Sequence, residues 1–202
     1  MVDMCQVFSK KSYKNRYLSM RRELSMYTGK NPTAIRSQQW ITDAMYSLLE
    51  RKEYSAINVK DICQKADLSR QTFYQIFDSK EEVLRYCIQQ HFSPLLTIPD
   101  SKDFQYLATY FSEHIAQNRE FIQLINRRNL GHFLTDELSS SLTIITNHFH
   151  PERDEKTKKL ANAFLTAGLA NMLLIWSEDS SISETALVTF LYEILIGKYF
   201  QF

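Results

Sequence analysis

The sequence predicts an all-α fold, with a small N-terminal domain of short helices followed by a larger helical domain. Three observations carry that expectation. The 202 residues include only four Gly and four Pro against thirteen Phe and eleven Tyr, too few turn formers for a strand-rich sandwich. Apolar residues recur at helical spacing, first as Ile41, Ala44, Met45, Leu48 and Leu49 and then in several shorter runs. Helix-start signals punctuate the chain: Pro32, Asn58 with Asp61, Ser69, Ser79 with Glu82, and Ser181 with Glu184.

Taken in order, residues 1–32 form a basic N-terminal extension with seven Lys/Arg against two Asp/Glu. The spacing predicts a long helix from Pro32 to about Arg51–Lys52. A second helix, barely two turns long, starts at the Asn58/Asp61 capping box and buries Val59, Ile62, Cys63 and Ala66. Asp67 follows where the chain must bend, and a left-handed conformation suits Asp better than most residues. Ser69 caps a third helix anchored by Phe73, Ile76 and Phe77. Ser79 and Glu82 open a fourth, carrying Val83, Leu84 and Cys87 to about Phe92. Helices this short are marginal alone and depend on tertiary packing. Beyond the connector SPLLTIPDS, helices are expected near 102–117, 119–130, 133–147, 153–177 and 182–200, with Gly131 separating two of them.

Composition narrows the partners. The net charge of +1 is unevenly spread: residues 33–92 are neutral, and residues 93–202 hold nine Lys/Arg against thirteen Asp/Glu. A basic front and acidic back point to a polyanion at one end, and charge alone fits a membrane surface equally well. Cys5, Cys63 and Cys87 have no zinc or thioredoxin spacing, and the latter two lie on apolar helix faces. The His148/His150 pair lies in an expected loop, and no His pair has the i, i+4 helical spacing of a zinc site, so neither metal nor cofactor is expected. The first residues lack the order of a signal peptide, and the apolar run Leu160–Trp176 is short for a bilayer and interrupted by Asn162, Thr166 and Asn171. The expectation is a cytoplasmic protein without a membrane span.

Helix, tight turn and helix over residues 58–77, flanked by a helix on each side, is the helix-turn-helix arrangement, whose second helix enters the DNA major groove. Arg70 suits guanine and Gln71 suits adenine, and Thr72 offers a hydroxyl or a methyl. Ser69 presents the amide end of its helix to phosphate. Tyr74 can extend its hydroxyl to a phosphate or cover the core edge with its ring. Lys80 and Lys60 stand in first helical turns, where the dipole disfavours cations, and a neighbouring phosphate would account for them.

The stretch TAIRSQQWITDAMYSLLERKEYSAINVKDICQKADLSRQTFYQIFDSKEEVL resembles the N-terminal DNA-binding domain of TetR-type (TetR/AcrR) transcriptional regulators. The likeness covers residues 33–92 and rests on the Ile41/Ala44/Leu48 face, N-V-K-D-I-C from Asn58, and S-R-Q-T-F-Y-Q-I-F before D-S-K-E-E. It implies that Ser69, Arg70, Gln71, Thr72 and Tyr74 lie on or beside the recognition helix. Tyr74 and Lys80 fall on its phosphate-contacting positions, and Asn58 and Lys60 make a further backbone contact. Asp67 stands where the family usually has Gly, Asn58 where it has Thr, and Ile76 where an aromatic or polar residue is usual.

For residues 93–202 the resemblance implies a helical regulatory and dimerisation domain, and for the whole chain a repressor released by a small-molecule effector. The local reading agrees with a homodimer. Ala163, Ala167, Gly168 and Ala170 permit close helix approach, and Leu187, Phe190, Leu191, Ile194 and Leu195 supply a second apolar face. Two-fold symmetry would set recognition helices about 34 Å apart on a palindromic double-stranded operator. Candidate walls for an effector pocket are Tyr106, Tyr110, Phe111, His114, Phe121, Asn126, Phe133, Met172 and Trp176, although aromatics at helical spacing also serve as core. The sequence contains no H-E-x-x-H, G-x-S-x-G or phosphate-cradling glycine loop, so no enzyme is expected. The rival reading is a dimeric protein–protein adaptor that has lost DNA binding.

Overall fold

The computed structural model describes residues 31–92, 113–150 and 152–195, apart from the side chains of residues 145, 148, 149 and 195. The basic extension before Asn31, the SPLLTIPDS connector, most of the helix expected over 102–117 and the chain end lie outside that set. So do the pocket candidates Tyr106, Tyr110 and Phe111 and the side chain of Leu195. The described residues contain no strand. They divide between Cys87 and Ile88 into two compact units.

In the first unit, α1 spans Pro32–Leu49, with Pro at its start and the Asn31 side chain accepting from the Thr33 amide at 3.0 Å. It buries Ile41, Ala44, Met45 and Leu49, while Leu48 is half-buried. The helix ends short of Arg51, whose amide, like that of Lys52, bonds the Leu48 carbonyl at 3.0 Å. A single 3-10 turn, Tyr54–Ala56, then leads through buried Ile57 to α2, Val59–Ala66.

The capping box that opens α2 is reciprocal. The Asp61 amide donates to Asn58 Oδ1 at 3.0 Å and the Asn58 amide to Asp61 Oδ2 at 3.0 Å. Lys52 Nζ donates to the same carboxylate oxygen at 2.9 Å, and that bond is the main cause holding the Asp61 carboxyl below its ordinary range. Asp67 closes α2 in the left-handed region, φ 54° and ψ 45°, and the Leu68 amide bonds back to the Cys63 carbonyl at 3.0 Å. Asp substitutes for glycine here because its short side chain tolerates positive φ.

Helix α3 is five residues, Arg70–Tyr74, capped by Ser69 Oγ, which accepts from the Thr72 amide at 3.0 Å. Phe73 anchors it at zero exposure, its ring 6.2 Å from that of Phe77. Removing such a side chain leaves a cavity and costs about 3–5 kcal/mol. Helix α4, Lys80–Phe92, starts where the Glu82 amide donates to Ser79 Oγ at 3.1 Å. The Glu82 carboxylate reaches one residue past the cap, accepting from the Asp78 amide at 2.6 Å. Cys63 and Cys87 are buried free thiols, and burial pushes both up from the ordinary thiol value.

The second unit contains α5, Arg119–Arg127; α6, Gly131–Phe149; α7, Glu155–Glu178; and α8, Glu184–Leu195. Gly131 does not end a helix but starts α6. The left-handed residue that ends α5 is Asn129, φ 55°, with the Leu130 amide bonding the Ile125 carbonyl at 2.9 Å. Gly131 lies close to α7: a Cβ there would stand 2.9 Å from a methyl of Leu174, which would have to shift. Asn162 of α7 pins α6, accepting from Thr146 Oγ1 at 2.7 Å and donating to Thr143 Oγ1 at 3.1 Å. The cap of α8 corrects the expected Ser181/Glu184 box. Ser183 Oγ accepts from the Ala186 amide at 3.1 Å, while Ser181 bonds Asp179.

Candidate nucleic-acid interface

The left-handed turn at Asp67 and the Phe73 anchor leave one side of α3 open. Arg70 and Gln71 are exposed, as are Ser69 before the helix and Gln75 just beyond it. Tyr74 is 51% exposed, and its ring stands edge-on to Phe73 with centroids 5.3 Å apart. The ring therefore covers the core edge while half the residue faces outward. Thr72 is half-buried, its hydroxyl 2.9 Å from Ser69 Oγ. Asn58 and Lys60 are exposed at the start of α2, although the Asn58 side-chain oxygen is engaged in the cap.

Lys80 has partners within the protein at its position. Its Nζ donates to the carbonyls of Ile57 at 2.7 Å and Tyr54 at 3.0 Å and lies 4.4 Å from the Tyr54 ring centroid. A cation in the first turn of α4 is accommodated by two backbone carbonyls from elsewhere in the unit. The sequence signalled the anomaly but not its local resolution, since the partners lie 23 and 26 residues away. Gln75, exposed just beyond α3, continues its polar run. A groove of about 380 Å3, lined by Trp40, Asp43, Ala44, Ser47, Lys65, Ala66 and Asp67, contains none of the expected interface residues.

In the second unit the remaining pocket candidates are largely packed. Phe121, Phe133 and Trp176 are buried, and His114, Asn126 and Met172 are half-buried. The His91 ring stacks on Phe121 at 3.7 Å, and Asn126 Nδ2 donates to the Leu174 carbonyl at 3.3 Å. Among the described residues four buried polar atoms keep no hydrogen-bond partner: Gln89 Oε1, Ser141 Oγ, Thr166 Oγ1 and Trp176 Nε1. No group of three His, Cys, Asp or Glu suited to a metal ion occurs among the described residues.

The candidate dimer residues divide. Ala163, Ala167 and Gly168 are exposed, and a Cβ on Gly168 would meet nothing within 4 Å. Ala170, Leu187 and Leu191 are buried within the chain, whereas Phe190 and Ile194 are half-buried. The exposed face of α7 also carries Leu160, Phe164 and Ile175, open by 73, 78 and 57%. Sequence reasoning missed these three, although their spacing places them on one side of a helix with Ala167, Gly168 and Asn171. By length and composition alone α7 would also suit a membrane, with 39% of its most apolar stretch buried inside the chain.

Comparison with known proteins identifies the first unit. Residues 41–87 match the profile of the bacterial regulatory proteins, tetR family. The chain is 25% identical over 159 residues to the HTH-type dhaKLM operon transcriptional activator DhaS of Lactococcus lactis, covering 76% of this chain and 84% of that one. The solved structure of the dihydroxyacetone kinase operon activator DhaS superposes with a TM-score of 0.54 at 22% identity, covering 80% of this chain and 95% of that one. Lin0861 from Listeria innocua gives a TM-score of 0.62 at 19% identity, with 86% and 95% covered. The left-handed turn, the anchored five-residue helix with its open polar side and the matched profile describe one thing: residues 41–87 form a helix-turn-helix unit of the kind that the tetR-family profile describes.

Proposed function

We propose that the chain is a cytoplasmic, homodimeric transcriptional regulator that reads a palindromic operator with α3. The supporting observation is the open polar side of α3 held rigidly by Phe73. Arg70 and Gln71 are exposed and carry the donors and acceptors suited to guanine and adenine edges, and the exposed Tyr74, Lys60 and Ser69 carry groups suited to phosphates. The exposed α7 stripe of Leu160, Phe164, Ala167, Gly168 and Ile175 supports dimerisation, because an apolar surface of that kind is normally covered.

In the first reading the dimer represses its target and a small-molecule effector releases it. Ser141, Thr166 and Trp176 support an effector in the second unit, since a buried polar group without a partner costs about 1–3 kcal/mol and a ligand can supply that partner. The second reading, activation, is favoured by one observation: the relative DhaS is an operon activator.

The test is binding of the full chain to the DNA upstream of its own gene across a salt series, with a promoter reporter beside it. Operator binding predicts an affinity that falls steeply with salt. Absence of binding to every duplex at low salt would favour the adaptor reading, and reporter output separates repression from activation.

A further inference from the structure

Lys80 stands at the start of α4, immediately after the helix-turn-helix, and Ile57 stands immediately before it. The ammonium at 2.7 Å from the Ile57 carbonyl therefore joins the two flanks of the segment that contains α2, Asp67 and α3. Its second bond, 3.0 Å to the Tyr54 carbonyl, fixes the 3-10 turn, and the Tyr54 ring lies beneath the cation at 4.4 Å. Half-burial strengthens each of these contacts relative to a solvated surface lysine. The Tyr54 hydroxyl lies within electrostatic reach of Glu81 and Arg85 on the same helix. Burial, and next the Glu81 carboxylate, push it up from 10 to about 12.

On the other side of the turn, Lys52 and the Asn58 amide converge on Asp61 Oδ2. The entry to α2 is thus pinned from within by Asp61 and from α4 by Lys80. Two of the three ammonium protons of Lys80 point at carbonyls, leaving one for any other acceptor.

We propose that Lys80 is a positioning residue for DNA recognition: it staples the two flanks of the helix-turn-helix and thereby fixes α3 relative to the start of α2. This rests on the DNA-binding reading above and extends it. The claim differs from a simple phosphate contact in what it does to sequence discrimination. A phosphate contact contributes equally to every DNA, and its loss lowers the salt slope by about one. A staple governs how accurately α3 presents Arg70 and Gln71, so its loss falls hardest on the matched sequence.

The experiment compares the wild-type chain with Lys80→Met, which keeps the stem and removes the ammonium, and with Lys80→Arg, which keeps the charge. Each is titrated with the duplex upstream of its own gene and with a scrambled duplex of equal length, over a salt series. Amide hydrogen exchange is read in the free proteins over residues 54–77. For Lys80→Met the staple predicts a several-fold loss of preference for the upstream duplex, a nearly unchanged salt slope and faster exchange at the entry to α2 without DNA present. Lys80→Arg loses part of the preference, because a planar guanidinium cannot take the place of one ammonium nitrogen between two carbonyls over a ring. An equal loss on both duplexes, a slope lower by about one and unchanged exchange would overturn the staple. If the wild type binds neither duplex, the DNA reading fails by itself, and the exchange measurement still decides whether the flanks are stapled. Should Lys80→Met not fold, Lys80→Arg decides by itself: lost preference with faster exchange at the entry to α2 supports the staple, and unchanged preference with unchanged exchange overturns it.

Discussion

Arg119 holds Trp176 by two routes at once: its guanidinium lies 4.7 Å from the indole centroid, and Nη2 donates to the Trp176 carbonyl at 2.9 Å. The same side chain donates to the carbonyls of Asp179 at 2.6 Å and Ile182 at 3.2 Å. A helix C-terminus leaves its last carbonyls without intrahelical donors, and a forked cation is well suited to collect several of them. Arg119 thus ties α5 to the end of α7 and to the turn leading into α8.

Arg119→Ala is expected to destabilise the second unit by about 1.5–3 kcal/mol, the range for hydrogen bonds that involve a charged group. Arg119→Lys should recover only part of that loss. Urea unfolding followed by Trp176 fluorescence in a Trp40→Phe background isolates the effect, since the chain has two tryptophans. Equal midpoints for wild type and Arg119→Ala would refute the role given to this side chain.

The turn of the helix-turn-helix offers a test of opposite sign. Asp67 sits at φ 54°, where glycine has no Cβ penalty and alanine has a full one. Asp67→Gly should therefore leave the first unit equally stable or stabilise it by up to about 1 kcal/mol, and Asp67→Ala should destabilise it by about 1 kcal/mol. Trp40 lines the same groove as Asp67 and reports on this unit. A stabilising alanine would mean that the backbone there is not left-handed.

His91 gives the pH dependence. Burial holds its imidazole below the ordinary 6.5, with the Asn118 bond opposing that shift and His114 adding to it. The unfolded chain takes up the proton before the folded one does. Stability is thus fully present above 6.5 and declines as pH falls from there through the lower folded value. Asp61, Asp154 and Asp179 are also held below their ordinary 3.8, chiefly by side-chain hydrogen bonds, and their contributions are lost only at more acid pH. Across about pH 7.5 to 5 the wild-type urea midpoint should fall more than that of His91→Gln. Parallel curves would remove His91 from the account.

What the sequence disclosed follows the range of the interactions. The Asn58/Asp61 box and the Ser69 cap are formed within three residues, so the residue types sufficed to locate them. Ser181 misled because two serines compete near Glu184, and Asp179 captures the first of them. Lys80 was legible as an oddity alone, since the carbonyls that hold it are brought near only by the packed unit. On α7 small residues marked a close approach, but which side remains open depends on what α5 and α6 already cover. Ala170 is therefore inside while Leu160 and Phe164 are outside.

That open side makes a direct prediction. Phe164 is 78% exposed, so Phe164→Glu removes little internal packing and should leave the fold of each chain intact. If this stripe is the dimer contact, the charge is buried without a partner on both sides of the two-fold axis, and sedimentation should show monomer. DNA affinity should drop with it, because two half-sites are no longer engaged together. Leu187→Ala supplies the contrast: a buried residue whose truncation should cost about 2–5 kcal/mol of stability through its cavity. A dimeric Phe164→Glu protein would locate the interface elsewhere.

The division of labour proposed for α3 predicts opposite mutational signatures. Arg70 and Gln71 are exposed and carry bidentate groups, so replacing either with Ala should relax preference at one base position by about 1–3 kcal/mol while sparing non-specific binding. Tyr74→Phe keeps the ring against Phe73 and removes only the hydroxyl, so folding should be unaffected. If that hydroxyl holds a phosphate, its loss weakens every sequence alike and leaves the selected consensus unchanged. Selection of bound sites from random DNA, run for wild type and the three variants, compares both signatures in one measurement. A consensus altered by Tyr74→Phe but not by the Arg70 or Gln71 variants would reverse the roles, because a phosphate contact carries no sequence information.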